Sequence, residues 1–422
     1  MGEQVGSAHA DVPVGLWRNR NLLILVGGQW VSQVGNQLFF MAVYWMVLSL
    51  TGSRSDLGFV GGILGLASVF GLVAGALVDR WDRRATMVWV DVGRAILAFA
   101  LFGAARANHL PVVALVALVF VLGLGSQLFN PAASALLPAV VADQDLNAAN
   151  SMNQSAAALS QLAGASLGGF ILGLLGPVVL FGLNGVSFAA SVVSLTLLRL
   201  GARSPVARQA AHGIRAAVRA LANDVAQGQR VIWRSPFLRR ALPLALLANF
   251  AFAPVAFLDV AWVRQVLHAG AFVYGLFGIA VLLGVVAGSA VASNVGRRLS
   301  LRAALATTAC TAGLCIVALS RIPSVLPDLL CLAGFGVCGG VLETMVTWSV
   351  QRAVPDGLRG RVFGTLGAVS TIATPLGGLI TGLLAGAFSL GTLFAAAGAL
   401  IVAATVLTVG MPAQAQIIEV QA

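Results

Sequence analysis

The sequence predicts an all-α membrane protein of twelve transmembrane helices, arranged as two parallel six-helix repeats. Three observations carry that reading. Of the 422 residues 59% are hydrophobic and only 9% are charged, with a mean hydropathy of +0.94, whereas a soluble chain has about a quarter of its residues charged. The apolar residues gather into twelve runs, each close to or above the roughly 20 residues that cross a bilayer as a helix. The first six runs are echoed in sequence by the second six.

In chain order the runs cover 21–49, 57–78, 86–105, 110–138, 149–175 and 178–198. Arg54 and Asp56 separate the first from the second, the cluster Arg80 to Arg84 the second from the third, and Arg106 with His109 the third from the fourth. Asp143 and Asp145 end the fourth, and Gly176-Pro177 breaks the fifth from the sixth. The remaining runs are 241–263, 270–294, 303–320, 323–350, 361–386 and 388–411, divided by Arg264 to His268, Arg297 to Arg302, Arg321 to Pro323, Arg352 to Arg361, and Gly386 to Ser389. The long polar interval, 199–240, splits six runs from six. The organisation predicted is a tail at 1–20, a bundle at 21–198, a linker at 199–240, a second bundle at 241–411 and a tail at 412–422. Within the linker Ile214, Val218, Leu221 and Val225 recur at helical spacing among arginines, which fits an amphipathic helix on the membrane surface or a solvated connector.

Arginine sets the orientation. With the N-terminus inside, twenty arginines fall in the inner segments, and only Arg54, Arg106, Arg264 and Arg321 lie outside, with Arg94 within a span. Positive charge is retained on the cytoplasmic side, so both termini are expected there, in an inner or plasma membrane. The repeats support the same plan. Gly71–Gly75 (GLVAG) returns as Gly284–Gly288 (GVVAG), and Leu167–Leu175 (LGGFILGLL) as Leu376–Leu384 (LGGLITGLL), in the second and fifth spans of each half. An even number of spans per half makes the repeat parallel, and the small-residue spacing speaks first to helix packing.

Composition also excludes chemistries. The chain contains no lysine, so it has neither a phosphate-binding loop of the G-x-x-x-x-G-K type nor a Schiff-base lysine. Uphill movement would draw on an ion gradient or a partner ATPase. The net charge of +11 comes from arginines spaced between apolar runs, which reads as membrane topology rather than nucleic-acid binding. Cys310, Cys315, Cys331 and Cys338 lack C-x-x-C spacing, and His9, His109, His212 and His268 are scattered, so no metal site or other cofactor is expected. No Ser/His/Asp set or paired-carboxylate motif marks an enzyme.

Polar residues in spans are costly and are expected to face a cavity or one another. In the first span Gln29, Gln33, Asn36 and Gln37 form one stripe; the fourth offers Gln127, Asn130 and Ser134, and the fifth Asn150, Asn153, Gln154 and Gln161. In the tenth, Glu343, Thr347 and Gln351 share a face beside Thr344 and Trp348. Charge inside spans is read at Asp91 with Arg94, an i,i+3 pair expected to be structural and near the cytoplasmic end, and at Asp259 and Glu343.

Between the second and third spans stands Gly75-Ala-Leu-Val-Asp79-Arg80-Trp81-Asp82-Arg83-Arg84, which resembles the G-x-L-x-D-R-x-G-R-R loop of the major facilitator superfamily. The likeness extends over roughly 17–411. Asp82 in place of the usual glycine, the segment Phe129-Asn-Pro-Ala-Ala-Ser-Ala-Leu-Leu-Pro138 and the later Val354-Pro-Asp-Gly-Leu-Arg-Gly-Arg361 are similar to drug and macrolide efflux pumps and the enterobactin exporter group. The resemblance implies the major facilitator fold, with spans one, four, seven and ten lining a central path. It also implies a conformational latch in which Asp79 meets the start of the eleventh span and Arg359 or Arg361, with Gly75, Arg80, Arg83 and Arg84 in the same loop. Departures are visible: Ser293-Asn-Val-Gly-Arg297-Arg298 lacks the acid, the fifth span reads Gly164-Ala-Ser-Leu-Gly168-Gly169 without a proline, the fourth has no arginine, and the first has Gly35-Asn36-Gln37 where an acid is frequent in related exporters.

The function expected is secondary active transport, the proton-coupled efflux of a small amphipathic molecule by alternating access, in a monomer surrounded by membrane lipids. The alternatives are uptake or lipid flipping by the same fold, or a sensor or scaffold without flux. The cavity is expected to be lined by the stripe residues Gln33, Asn36, Gln37, Gln127 and Asn130, with Gln154, Gln161, Thr347 and Trp348. For the proton, Glu343 is placed first and Asp259 second, because a carboxyl in low dielectric accepts a proton readily.

Overall fold

The computed structural model describes residues 16–78, 81–199, 223 and 226–412. Twelve long helices account for nearly all of them. The first half contains α1 (Arg20–Thr51), α2 (Arg54–Val78), α3 (Arg83–Arg106), α4 (Val112–Val140), α5 (Leu146–Leu175) and α6 (Pro177–Leu197). The second contains α7 (Leu238–Ala261), α8 (Ala271–Arg298), α9 (Leu301–Arg321), α10 (Val325–Ala353), α11 (Asp356–Ala385) and α12 (Leu390–Ala404). Among the described residues eleven helices are long and apolar enough to cross a membrane, and the 25-residue α2 packs among them. An even number of spans brings Leu16 and Pro412 to one end of the molecule, here the terminal end; the opposite end, expected outside, is the far end.

The N-cap residues of α1, α3, α9 and α12 each accept a side-chain cap bond. Asn19 accepts from Leu22 N at 3.1 Å, and Asp82, the residue standing where the signature loop usually has glycine, caps α3 by accepting from Ala85 N at 2.6 Å. α11 already begins at Asp356, so Arg359 and Arg361 are helical rather than in a loop. α7 begins at Leu238 and continues beyond Ala261 as a π-helical turn, Trp262–Val266. The residues read as amphipathic in the linker, Ile214, Val218, Leu221 and Val225, lie outside the described residues. Its last part, residues 226–234, is helical, and Ile232 is buried in one apolar cluster with Phe237, Val350 and Met411.

The halves repeat each other's packing. α1 lies against α5 and α6, α2 against α4, and α3 against α4 and α6; the same pairs shifted by six, α7 with α11 and α12, α8 with α10, and α9 with α10 and α12, build the second half. Between halves, α2 packs on α11 and α5 on α8.

The repeated glycine pairs explain both kinds of seam. A Cβ at Gly168 would meet Met41 of its own half, while one at Gly169 would lie 2.6 Å from Gly275 Cα across the seam. In the second copy a Cβ at Gly377 would meet the carbonyl of Phe250 in its own half, and one at Gly378 would lie 2.9 Å from Gly62 N across the seam. The first glycine of each pair thus holds its helix to its own half, and the second admits the other half to backbone contact. The other repeat has diverged. Gly284 and Gly288 press on the backbone of α10, whereas Gly71 makes room for the side chain of Gln127.

Candidate functional site

The far end is shut by contacts between the halves. Gly58 lies against Gly382, and Gly169 against Gly275. Beside them the π-helical turn carries Arg264 to α1, where its guanidinium sits 4.8 Å from the Trp45 ring centre and donates to Ser49 Oγ at 2.7 Å. Arg54 donates to Gln265, and Trp45 stacks on Tyr274 with centres 6.2 Å apart. The turn is anchored from within its own half. Trp262 is buried, stacks on Phe394 at 5.1 Å and donates from Nε1 to Asp328 Oδ2 at 2.7 Å. Two of the four arginines expected outside therefore bridge the halves, a role that topology counting does not reveal.

Toward the terminal end the cross-half contacts give way to cavities. One of about 350 Å³ is lined by Tyr44 and Ser68 of the first half and by Phe257, Ser370, Thr371 and Thr374 of the second. A second, of about 440 Å³, is set into the first half. α1 contributes Gln29, Gln33, Asn36 and Gln37 to it, α4 contributes Gln127 and Asn130, and α5 contributes Gln161. The stripe spacing delivers these amides to one wall. Gln154 is exposed nearer the start of α5 and is not part of that wall.

The charge in this cavity was misread at the sequence level. Arg94 and Asp91 do pair, at 2.9 Å, but they sit near the middle of α3 rather than at its cytoplasmic end, and Arg94 lines the cavity. Its Nη2 donates to Asn36 Oδ1 at 3.1 Å and to Ser126 Oγ at 3.0 Å, and its guanidinium carbon lies 3.9 Å from the Phe188 ring centre. Asp91 is fully buried behind it. Ser126 beside Gln127 was the available clue, because two consecutive polar residues on α4 cannot both be idle in an apolar run. Breaking a buried ion pair strands its partner at a cost of about 3–5 kcal/mol. Arg94→Met is therefore expected to lower thermal stability by that order, and Asp91→Asn with Arg94→Met to restore most of it, as read from the thermal unfolding midpoint in lipid.

A third cavity, about 410 Å³ and mostly apolar, lies between the halves. Asp259 lines it with Gln37 and Gln161 of the first half and Phe252, Phe277 and Leu332 of the second. Glu343 is exposed on α10, Thr347 is half-buried, and Trp348 stacks under Arg352 at 4.2 Å; none of the three lines these cavities. Asp328 is a further buried acid inside α10, missed because it stands in the first turn of its run.

Of the latch residues, Asp79 and Arg80 lie outside the described residues. A Cβ at Gly75 would only touch Pro131, at 4.0 Å. Arg83 donates to Ala135 O at 2.9 Å, and Arg84 to the carbonyls of Leu195 and Thr196 at the end of α6. Arg359 donates to the carbonyls of Val354 and Gln351 at the end of α10. Arg84 and Arg359, placed on carbonyls at the ends of α6 and α10, satisfy acceptors that those helices cannot.

Known proteins place this geometry. A family model described as transmembrane secretion effector matches residues 17–418. Multidrug efflux pump Tap of Mycolicibacterium fortuitum is 27% identical over 397 residues, covering 89% of this chain and 91% of that protein. Macrolide efflux protein A of Streptococcus pyogenes is 22% identical over 406 residues, covering 89% and 92%. Among solved structures, the nucleoside transporter NupG superimposes with a TM-score of 0.71 at 13% identity, covering 93% of this chain and 99% of that one. A bacterial homologue of the iron transporter ferroportin gives 0.65 at 19% identity, covering 92% and 98%.

Proposed function

The chain belongs to the transmembrane secretion effector family of major facilitator transporters, and from that membership we propose that it exports a small amphipathic molecule from the cytoplasm in exchange for protons. It is a multi-pass membrane transporter, not an enzyme. The observation that carries the proposal is the seam between the halves: it is tight at the far end, while an amide wall of the first half and an apolar wall of the second meet around Gln37 and Gln161. Rocking about such a seam exposes a midplane site to either side in turn. The efflux pumps named above support export as the direction. The twenty-to-four distribution of arginine supports a plasma or inner membrane with both termini cytoplasmic, which puts the shut end outside. The described cross-half contacts then belong to a state whose site is reached from the cytoplasm. Asp79, meeting the start of α11 near Arg359 and Arg361, would close the cytoplasmic side in the opposite state, a role that rests on the signature loop.

Expression in a pump-deficient host, with resistance screened across chemically distinct antibiotics, identifies a working cargo. Everted vesicles from that host are expected to accumulate this compound when their lumen is acidified and to lose it on adding nigericin. Absence of gradient-dependent uptake across the panel overturns export, and uptake confined to right-side-out vesicles reverses its direction. Wild-type flux in Asp79→Asn removes the latch.

A further inference from the structure

We infer that the first-half cavity is a subsite for a neutral glycosyl group, so that the cargo is a glycosylated amphiphile with its sugar against α1, α4 and α5 and its apolar body against α7 and α8. The inference rests on the transport reading for why a cargo enters at all. Its evidence is the chemistry of the wall. Gln33, Gln37, Gln127, Asn130 and Gln161 point into one space, and among the described residues none of these amides bonds to another protein group. Gln33, Gln37 and Gln127 are half-buried and Asn130 and Gln161 exposed on this wall, so their donors and acceptors are open to a polar ligand, as polar groups inside a membrane bundle are where they line a substrate path. They are therefore not the glue between helices that polar residues in a bundle often are.

A carboxamide presents a donor and an acceptor side by side, which is the pattern a pair of neighbouring hydroxyls returns. The wall offers no carboxylate: Asp91 is buried behind Arg94. Nor does it offer a free cation, because Arg94 spends its terminal nitrogens on Asp91, Asn36 and Ser126. Charge is thus balanced inside the wall and hydrogen bonding is what remains for a ligand. Phe40 and Phe129 add aromatic surface to the same cavity, suited to the C–H face of a sugar ring. At about 440 Å³ the space falls within the range of small-molecule sites. Gln37 and Gln161 also line the apolar cavity holding Phe252, Val255, Phe277 and Leu332, so one molecule can occupy both with its polar end in the first half. Gly71 belongs to the same design, since its missing Cβ is what admits Gln127 to the wall.

The test uses the full chain in lipid nanodiscs and neutral probe pairs that differ in the sugar. 4-Methylumbelliferyl β-glucoside is compared with 7-methoxy-4-methylcoumarin, and the monodigitoxoside of digitoxigenin with digitoxigenin, by isothermal titration. A site built around hydrogen bonds discriminates against ligands that lack them, so at least one glycoside is expected to bind about tenfold or more tightly than its partner. Gln33→Leu and Asn130→Leu are each expected to reduce that preference about fivefold, with a thermal unfolding midpoint in lipid close to wild type reporting that the variant is folded. Glycosides binding no better than their partners, not binding at all, or keeping their preference in both variants would overturn the inference. Flux of an antibiotic without sugar preference would leave the export reading standing, and sugar preference without any flux would do the reverse.

Discussion

Gly169→Ala and Gly378→Ala are each expected to cut transport about tenfold, and together about a hundredfold, while the protein still inserts and binds cargo. An added Cβ would lie 2.6 Å from Gly275 Cα in the first case, and 2.9 Å from Gly62 N and 2.6 Å from the Phe257 ring in the second. The nearest seam atoms are largely backbone, which cannot turn aside, and overpacking of this kind costs about 1–3 kcal/mol. At Gly169 the cost falls only on the state with the far end shut, whereas at Gly378 the Gly62 contact adds a cost in that state to one from Phe257 of its own half that every state feels. Each 1.4 kcal/mol is a tenfold change in population, so the equilibrium moves toward the state open outside. Alanine is otherwise the better helix former, by about 1 kcal/mol over glycine, so weakened helices cannot explain a loss. A membrane-impermeant maleimide reacting with Ser55→Cys reads the shift directly: labelling should rise in both variants. Gly168→Ala, which meets only the side chains of Met41 and Leu38 in its own half, is expected to stay close to wild type. Undiminished flux in the double variant would show that the glycine seams do not part during transport.

Asp259→Asn is expected to abolish accumulation driven by a pH gradient while preserving exchange of labelled for unlabelled cargo. Glu343→Gln is expected to retain most of the driven flux. Their order reverses the one drawn from sequence, and position is the reason. Asp259 borders the cavity between the halves together with Gln37 and Gln161, so a proton held there is exposed to whichever side the seam opens. Glu343 is exposed on α10 away from those walls. Asparagine keeps the size and hydrogen bonding of the carboxyl but cannot exchange a proton. Counterflow in proteoliposomes without a gradient separates coupling from binding. Gradient-driven accumulation at the wild-type rate in Asp259→Asn, with loss in Glu343→Gln, would return the role to Glu343.

The span order and the pairing of halves were legible because both follow from one-dimensional signals, apolar run length and sequence echo. Boundaries were less so. Reading a run stops at its first charge, yet α2 starts at Arg54 and α11 at Asp356, since the ends of a membrane helix extend into the headgroup region where charge is welcome. The amide stripe on α1 was legible from its spacing. Period alone does not say which face of a helix turns inward, and the equally regular stripe of Glu343, Thr347 and Gln351 lines none of the three cavities described above. Contacts between distant segments were illegible in principle: nothing near Arg94 announces Asn36, and nothing near Arg264 announces Trp45. The glycine pairs show the same limit. Their repetition identified packing, but only the fold reveals that neighbouring residues in one helix serve different halves.

That division of labour between adjacent glycines bears on pharmacology. The α5–α8 and α2–α11 seams must close together, so they act in series, and a compound wedged into one stops the cycle whatever happens at the other. Such a wedge would leave the cargo cavity free and inhibit without competing with the exported molecule, so raising cargo concentration would not relieve it. Escape by mutation would be narrow as well. Gly169, Gly275, Gly62 and Gly378 have no smaller residue to become, and any larger one blocks the same seam as the inhibitor.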